Sequence, residues 1–285
     1  MENNPQVAVM MPVYNGEKTL GLALSSLVHQ TYPYWKCYIV NDGSTDGTKE
    51  ILEGLTDPRF VIIHFEQNKG RPYARQAALD AAEGKYLAML DADDIYHPNK
   101  LKVQVEYFER NPMISLLSSG MGSYENLEEG IIRVRGNKII ECRMYNIGDR
   151  VEYVHAPSML ILKDAKNTGY NKSFKYSQDM EFLDRYLNGK YYSSMNEIVY
   201  YYSEFDSVSK AKVIKTYFYV LRKIRNSEMS LRLKIKEYIQ ILGKIIIYSI
   251  LYPFVSVEFF LKKRGVEAIP EMKAEFKNVI KKIRT

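Results

Sequence analysis

The sequence runs to 285 residues, 46% of them apolar, with a formal net charge of +6. Such a chain is too apolar for wholesale disorder and long enough for one large α/β domain plus an appendage. Its two cysteines, Cys37 and Cys142, lie far apart without metal-ligand spacing, which argues against a disulfide framework and for a reducing compartment.

Met1 to Gln6 carries neither the basic region nor the apolar run of a signal peptide, so the expected location is cytoplasmic. Val7–Val13 then reads as a strand, and Asn15-Gly16 as a turn. Leu20, Leu24, Leu27 and Val28 follow helical spacing up to His29-Gln30. Cys37–Val40 is a second strand, after which Ser44 or Thr45 is expected to cap a helix through Ile51-Leu52. Phe60–Phe65 is a third strand. Ala74, Ala77, Ala78 and Ala81 form a small-residue helix face able to lie close to a sheet. Tyr86–Leu90 is a fourth strand, and Pro98 and Asn111-Pro112 bracket another helix. This alternation predicts right-handed βαβ units and a parallel sheet. From 113 to about 205 the pattern loosens. Short β-like pieces (Ile114–Leu117, Ile131–Val134, Ser158–Leu162, Ile198–Tyr202) surround a helix over Asp179–Leu187, which predicts a mixed extension of the sheet rather than a separate domain.

The fourth strand ends in Asp91, Asp93 and Asp94, three carboxylates within four positions. Packed so closely they repel one another and favour a bound cation. All-oxygen donors suit Mg²⁺ or Mn²⁺, which commonly also hold a phosphate. Taken alone, such a cluster is more often a solvated acidic turn that caps the next helix. Other strand ends change its weight. Pro12-Val13-Tyr14-Asn15 suits a base or ribose. Asp42 could accept a pyrimidine imide N–H. Asn68-Lys69-Gly70-Arg71, with Arg75, places cations and backbone amides before a helix, as a diphosphate requires. Singly, these are a turn, surface charges or packing. In order along one βαβ series they are specific.

Together, Met11–Asn15, Ile39–Asp46, Glu66–Gly70, Ala74-Arg75, Ala82–Tyr86 and Leu90–Asp94 resemble the inverting family-2 glycosyltransferases of the GT-A fold. The resemblance is specific over roughly 6–110 and continues weakly to about 209. It implies an α/β GT-A nucleotide-diphospho-sugar transferase fold, a mostly parallel mixed sheet flanked by helices. The implied division is a catalytic domain over 1–209, with a nucleotide-binding half (1–110) and an acceptor and base half (111–209). A basic, amphipathic helical extension follows over 210–285. The implied reaction moves one sugar, with inversion, from a nucleotide-diphosphate donor of the UDP-sugar kind. Its acceptor is a hydroxyl of a growing surface glycan, lipid-linked in one version. Nucleotide-sugar contacts fall on Pro12, Tyr14, Asn15, Asp42, Lys69, Arg71, Arg75, Asp91 and Ala92. Mn²⁺ or Mg²⁺ falls on Asp93, helped by Asp91. The general base falls on Asp179, after Gly169-Tyr170, although Gln178 replaces the usual Glu of a Glu-Asp pair.

A second departure is Tyr202 and Glu204 at positions where relatives often carry Arg and His, which leaves Glu204 as a candidate replacement metal ligand. The Gln-x-x-Arg-Trp signature of processive synthases is missing, so single-sugar addition is expected. Two rival enzyme readings fit less well. A nucleotidyltransferase would open with a Gly-rich basic loop, absent from Pro12–Gly16, and a glycoside hydrolase would need no nucleotide site. A non-catalytic GT-A subunit of a membrane assembly stays open because of Gln178 and the missing His. His29, His64, His97 and His155 have no ligand spacing and are expected to be structural, although His155 lies in a stretch that could face the acceptor.

Charge is unevenly spread. Residues 1–210 net −5, whereas 211–285 hold 17 Lys/Arg against 6 Asp/Glu, a net of +11. Ile214, Tyr217, Phe218, Leu221 and Ile224 trace one helical face beside Arg222, Lys223 and Arg225. A second pattern runs from Leu231 into Ile245–Val257. It falls short of the ~20 apolar residues of a membrane span and contains Pro253. Two readings stand: a helix on the inner membrane surface, or a bundle against the catalytic domain or another subunit of a homo-oligomer. Nucleic acid is not an expected partner, because the basic residues alternate with aliphatics rather than stacking aromatics.

Overall fold

A computed structural model describes residues 6–147, 149, 152–174, 177–204, 217–222, 224–225, 230–251 and 265–284. Among them, eleven strands form one sheet. Its first half is built from β1 (Val7–Val13), β2 (Trp35–Asn41), β3 (Phe60–His64) and β4 (Tyr86–Met89), with α1 (Leu20–Val28), α2 (Thr48–Glu53) and α3 (Arg71–Ala81) as crossovers. β1 pairs in parallel with β2 on one side and β4 on the other, and β2 pairs in parallel with β3. The all-apolar Val-Ala-Val-Met-Met-Pro-Val of β1 fits that central place, because both faces of the strand are covered. Val7, Val9 and Met11 face one core, with α1, while Ala8 and Met10 face another, with α3. Ala74 and Ala78 let α3 lie close to the sheet, as their spacing predicted.

The chain walks from β1 to β3 in one direction, then returns to place β4 on the other side of β1. Strand order therefore reverses between β1 and β4, where an open α/β sheet forms a crevice at its carboxyl edge. The register puts Val13 level with Asn41 and Met10 level with Met89. Tyr14, Asp42 and Asp91 consequently leave the sheet at the same edge.

The second half extends this sheet, as expected, but its elements are longer than the sequence suggested. After β5 (Ile95–Tyr96) and α4 (Lys100–Arg110) come β6 (Ile114–Tyr124), β7 (Ile131–Arg135), β8 (Ile140–Tyr145), β9 (Met159–Ile161), α5 (Leu162–Thr168), α6 (Gln178–Leu187) and β10 (Lys190–Ser203). β9 runs antiparallel between β4 and β6, and β10 pairs with β5, β6 and β8. β6 passes the expected end at Leu117 because Ser118, Ser119, Gly120 and Ser123 are small enough to be buried against β10. A Cβ at Gly120 would press on the Glu197 carbonyl at 2.9 Å.

Two expectations change. Ser44 and Thr45 do not cap α2; the Asp46 carboxylate takes the Thr48 N–H instead, at 3.1 Å. The tail is not helical extension throughout, because β11 (Val266–Glu267) adds to β7 and carries the next helix back onto the sheet. The tail contributes α7 (Leu231–Leu251) and α8 (Pro270–Ile283). Residues 217–222 and 224–225 are also helical. Ile214, Lys223 and the pattern beyond Leu251, including Pro253, Val257 and Glu258, lie outside the described residues. No described helix is long and apolar enough to cross a membrane.

Candidate active site

A cleft of about 610 Å³ opens at the switch point. Pro12, Tyr14, Asn15, Asp42, Arg71, Asp91, Ala92 and Asp93, all predicted, line it. The loop after β1 is fixed by polar contacts rather than packing. Asn15 sits in the left-handed region at φ 52°, which asparagine tolerates better than most residues. Its N–H donates to Ser44 Oγ at 2.9 Å, and its Oδ1 accepts the Thr45 N–H at 2.8 Å. The Gly16 N–H donates to Thr48 Oγ1 at 2.8 Å. This is where Ser44 and Thr45 spend their polar atoms, leaving Tyr14 exposed over the cleft.

Asp42 closes β2 and is buried. Its two carboxylate oxygens accept the Lys69 N–H at 2.7 Å and the Gly70 N–H at 2.9 Å. It thereby holds the loop that starts α3, and each oxygen keeps a lone pair for a ligand. Gly43, at φ 68°, lets the two loops meet, since a Cβ there would overlap the Gln67 backbone. Lys69 does not line the cleft; its ammonium lies over the Phe65 ring at 4.6 Å. Arg71 does, and the Asp91 and Asp93 carboxylates raise its pKa.

Past β4, the carboxylate oxygens of Asp91, Asp93 and Asp94 lie within 4.8 Å of one another. They are not equivalent. Asp94 is buried and accepts the Tyr200 hydroxyl at 2.6 Å and the Ser203 N–H at 2.8 Å. Burial, then Asp93 and Asp91, push its carboxyl well above the usual range, so it ties the acidic turn to β10. Burial acts the same way on Asp91, but the Arg75 and Arg71 guanidiniums outweigh it and hold that carboxyl low. Asp93 lines the cleft, and its carbonyl accepts the Tyr124 hydroxyl at 3.1 Å. Three carboxylates whose oxygens gather this closely fit a hard divalent cation.

Arg75 departs from its predicted role. It is buried rather than aimed into the cleft, with Nη2 2.9 Å from Asp91 Oδ1 and Nη1 paired with Asp179. One guanidinium thus joins the end of β4 to the first turn of α6, where Ser177 turns the chain in the left-handed region at φ 55°. The two predicted carboxylates from distant halves are brought together by this cation. Glu204 is not in the cluster. It is buried, paired with Arg133 and 3.9 Å from Arg135, which explains how a carboxylate is accommodated there.

A second cleft of about 350 Å³ is walled by Arg135, Tyr153, His155, Met180, Asp184 and Tyr202, among others. It starts one residue past Asp179. His155 lines this second cleft. Tyr124, Tyr200 and Ser203 were missed because each acts through one polar atom of a strand residue, a role that leaves no spacing signal.

A family model described as glycosyl transferase family 2 matches residues 8–165. The chain is 35% identical over 126 residues to an Escherichia coli UDP-Glc:alpha-D-GlcNAc-diphosphoundecaprenol beta-1,3-glucosyltransferase, covering 44% of this chain and 48% of the relative. It is 34% identical over 197 residues to an uncharacterized glycosyltransferase of Methanocaldococcus jannaschii, covering 66% and 67%. The chain spans about half the length of the first of these relatives. Among solved structures, S. aureus TarS 1–349 in complex with UDP superposes with a TM-score of 0.67 at 22% identity, over 89% of this chain and 76% of that TarS fragment. A Pyrobaculum calidifontis mannosyltransferase in complex with GDP-Man and Mn²⁺ superposes with a TM-score of 0.63 at 15% identity, over 99% and 88%. These likenesses agree with the GT-A arrangement of strands and cleft. The chain is a member of glycosyl transferase family 2.

Proposed function

We propose that this protein transfers one sugar, with inversion, from a UDP-sugar to a hydroxyl of a bacterial surface glycan. The observation that carries the reading is the Asp91-Arg75-Asp179 bridge at the switch-point cleft, which puts a cation-binding carboxylate and a candidate base in one network. The base and ribose lie against Pro12, Tyr14, Asn15 and Asp42, and Arg71 faces the diphosphate. Asp93, with Asp91, holds Mn²⁺ or Mg²⁺, which supplies Lewis-acid neutralisation of the diphosphate charge. Asp179 accepts the proton of the acceptor hydroxyl. That oxygen forms the new bond to the anomeric carbon, while the bond to the diphosphate breaks and its electron pair leaves with the nucleotide. Arg75 pairs with Asp179 and orients it. The second cleft, beside Asp179, receives the acceptor.

The choice of UDP and of a lipid-linked glycan is supported by the UDP complex of TarS and by the diphosphoundecaprenol substrate named for the E. coli relative. A divalent cation is supported by the Mn²⁺ complex of the mannosyltransferase. From an acceptor of this kind we infer that the protein works at the cytoplasmic face of a membrane. Calorimetry of UDP binding with Mn²⁺ and with EDTA tests the donor and metal assignments. Binding should require Mn²⁺ and be lost in Asp93→Ala; equal affinity in EDTA would exclude the metal. Asp179→Asn should keep donor binding and lose on the order of 10²–10⁴ in rate. Wild-type turnover in that variant would remove Asp179 as the base.

A further inference from the structure

Helix α7 has two apolar faces. On one, Tyr238, Ile241 and Ile245 pack with Tyr217, Leu221 and Ile224 of the preceding helical residues. On the other, Leu231, Ile235, Ile239, Leu242, Ile246 and Ile250 recur at spacings of 4, 4, 3, 4 and 4, and each is 44–74% exposed. That spacing gathers them into one stripe about 100° wide, and at about 1.5 Å per residue the stripe is roughly 30 Å long. A single exposed leucine needs no explanation, but six in register form a patch that calls for cover. The helix is not apolar enough to span a membrane, so the stripe meets a surface.

Charge decides which surface. The helix carries Arg232, Lys234, Lys236 and Lys244 against Glu237 alone, with Arg232 and Lys236 exposed beside the stripe. A second copy would bring one basic helix against another with little acid to compensate. Anionic headgroups compensate every cation, and the +11 of residues 211–285 against −5 elsewhere makes that attraction local to the tail.

We propose that the Leu231–Ile250 stripe is a docking face for an anionic lipid membrane. Its aliphatic side chains lie in the headgroup–acyl boundary, and Arg232 and Lys236 lie among the phosphates. This deepens the membrane placement suggested above, but lipid binding needs neither the donor nor the carboxylates of the cleft. Its failure is therefore distinct from failure of the transferase reading.

The test is flotation of the full chain with vesicles of equimolar phosphatidylglycerol and phosphatidylcholine, and with phosphatidylcholine alone. The protein should float with the anionic vesicles at low salt and more weakly with the neutral ones. Ile239→Ser/Ile246→Ser should reduce partitioning by on the order of tenfold without shifting the melting temperature. Arg232→Ser/Lys236→Ser should weaken binding to the anionic vesicles and reduce its salt dependence. UDP binding, read separately, should be unchanged in both. No flotation of the wild type, or equal flotation of the isoleucine variant, overturns the proposal. So does a fall in melting temperature in that variant, which would mean the stripe is packed within the chain. Loss of a dimer in it, read by light scattering, would assign the face to a second copy and overturn the proposal as well.

Discussion

The two long helices near the end of the chain each carry an apolar face among lysines, and those faces have opposite fates. α8 turns Phe276, Val279, Ile280 and Ile283 onto the sheet, where they are buried with Ile95, Tyr124, Ile131 and Tyr201. α7 leaves eight large aliphatics in solvent, six of them in one stripe. The difference is a tether. β11 pairs with β7, and that short ladder lays α8 against the wall of the first cleft, where Phe276 meets the Tyr124 and Tyr201 rings at 5.3 and 4.9 Å. An apolar stripe shows that a face needs cover; it does not say what supplies it.

The strongest way to break this comparison is Phe276→Ala. Deleting a fully buried ring beneath Tyr124 should cost about 3–5 kcal/mol, measured by urea unfolding of the full chain. A loss near zero would mean that α8 is as uncommitted as α7. Charge offers a second contrast. The cations beside the α7 stripe are exposed, whereas Lys100 is buried, bonds Gln104 Oε1 at 2.6 Å, and is lowered by burial to about 7. A lysine with a native pKa below its unfolded value of 10.5 holds fewer protons folded than unfolded. Stability should therefore rise with pH from about 7 to about 10.5 and be flat below that window. Lys100→Met should stabilise the protein near neutral pH by on the order of 1–3 kcal/mol and flatten that rise, read as melting temperature against pH.

A smaller effect is expected at the link between α8 and the acidic turn. Tyr124→Phe keeps the ring on Phe276 but deletes the bond to the Asp93 carbonyl. It should cost about 0.5–1.5 kcal/mol and raise the Mn²⁺ concentration needed for half-maximal UDP binding. The smallest change should come from Ile246→Ser on α7, within about 0.5 kcal/mol of wild type by denaturant unfolding. A larger loss would make α7 a packed helix like α8.

The nucleotide half was legible because its signals are local. An apolar strand, a turn and a polar residue at the strand end occur within a few positions, and four such units in series define both the sheet edge and the cleft. Pro12, Tyr14, Asn15, Asp42, Arg71, Asp91, Ala92 and Asp93 meet there as their order predicted. Beyond residue 113 the signals are long-range. β6 hides buried serines and glycines that only β10 explains, and β8 alternates too weakly to be read. α5 begins inside a stretch that resembles a strand up to Leu162. Asp179 could be picked out, but not its partner.

The sequence alone therefore determined the fold class, the placement of the acidic turn, and a basic tail distinct in charge from the body. Each depends on residues close together in the chain. Only the tertiary structure decided how the charges pair. Arg75 and Arg71 are one helical turn apart, yet one is buried between Asp91 and Asp179 while the other faces the cleft. Glu204 stands next to Ser203 at the cleft, yet Arg133 of another strand claims it. A buried charge takes whichever counter-charge the fold brings within reach, and that distance is not written in sequence separation.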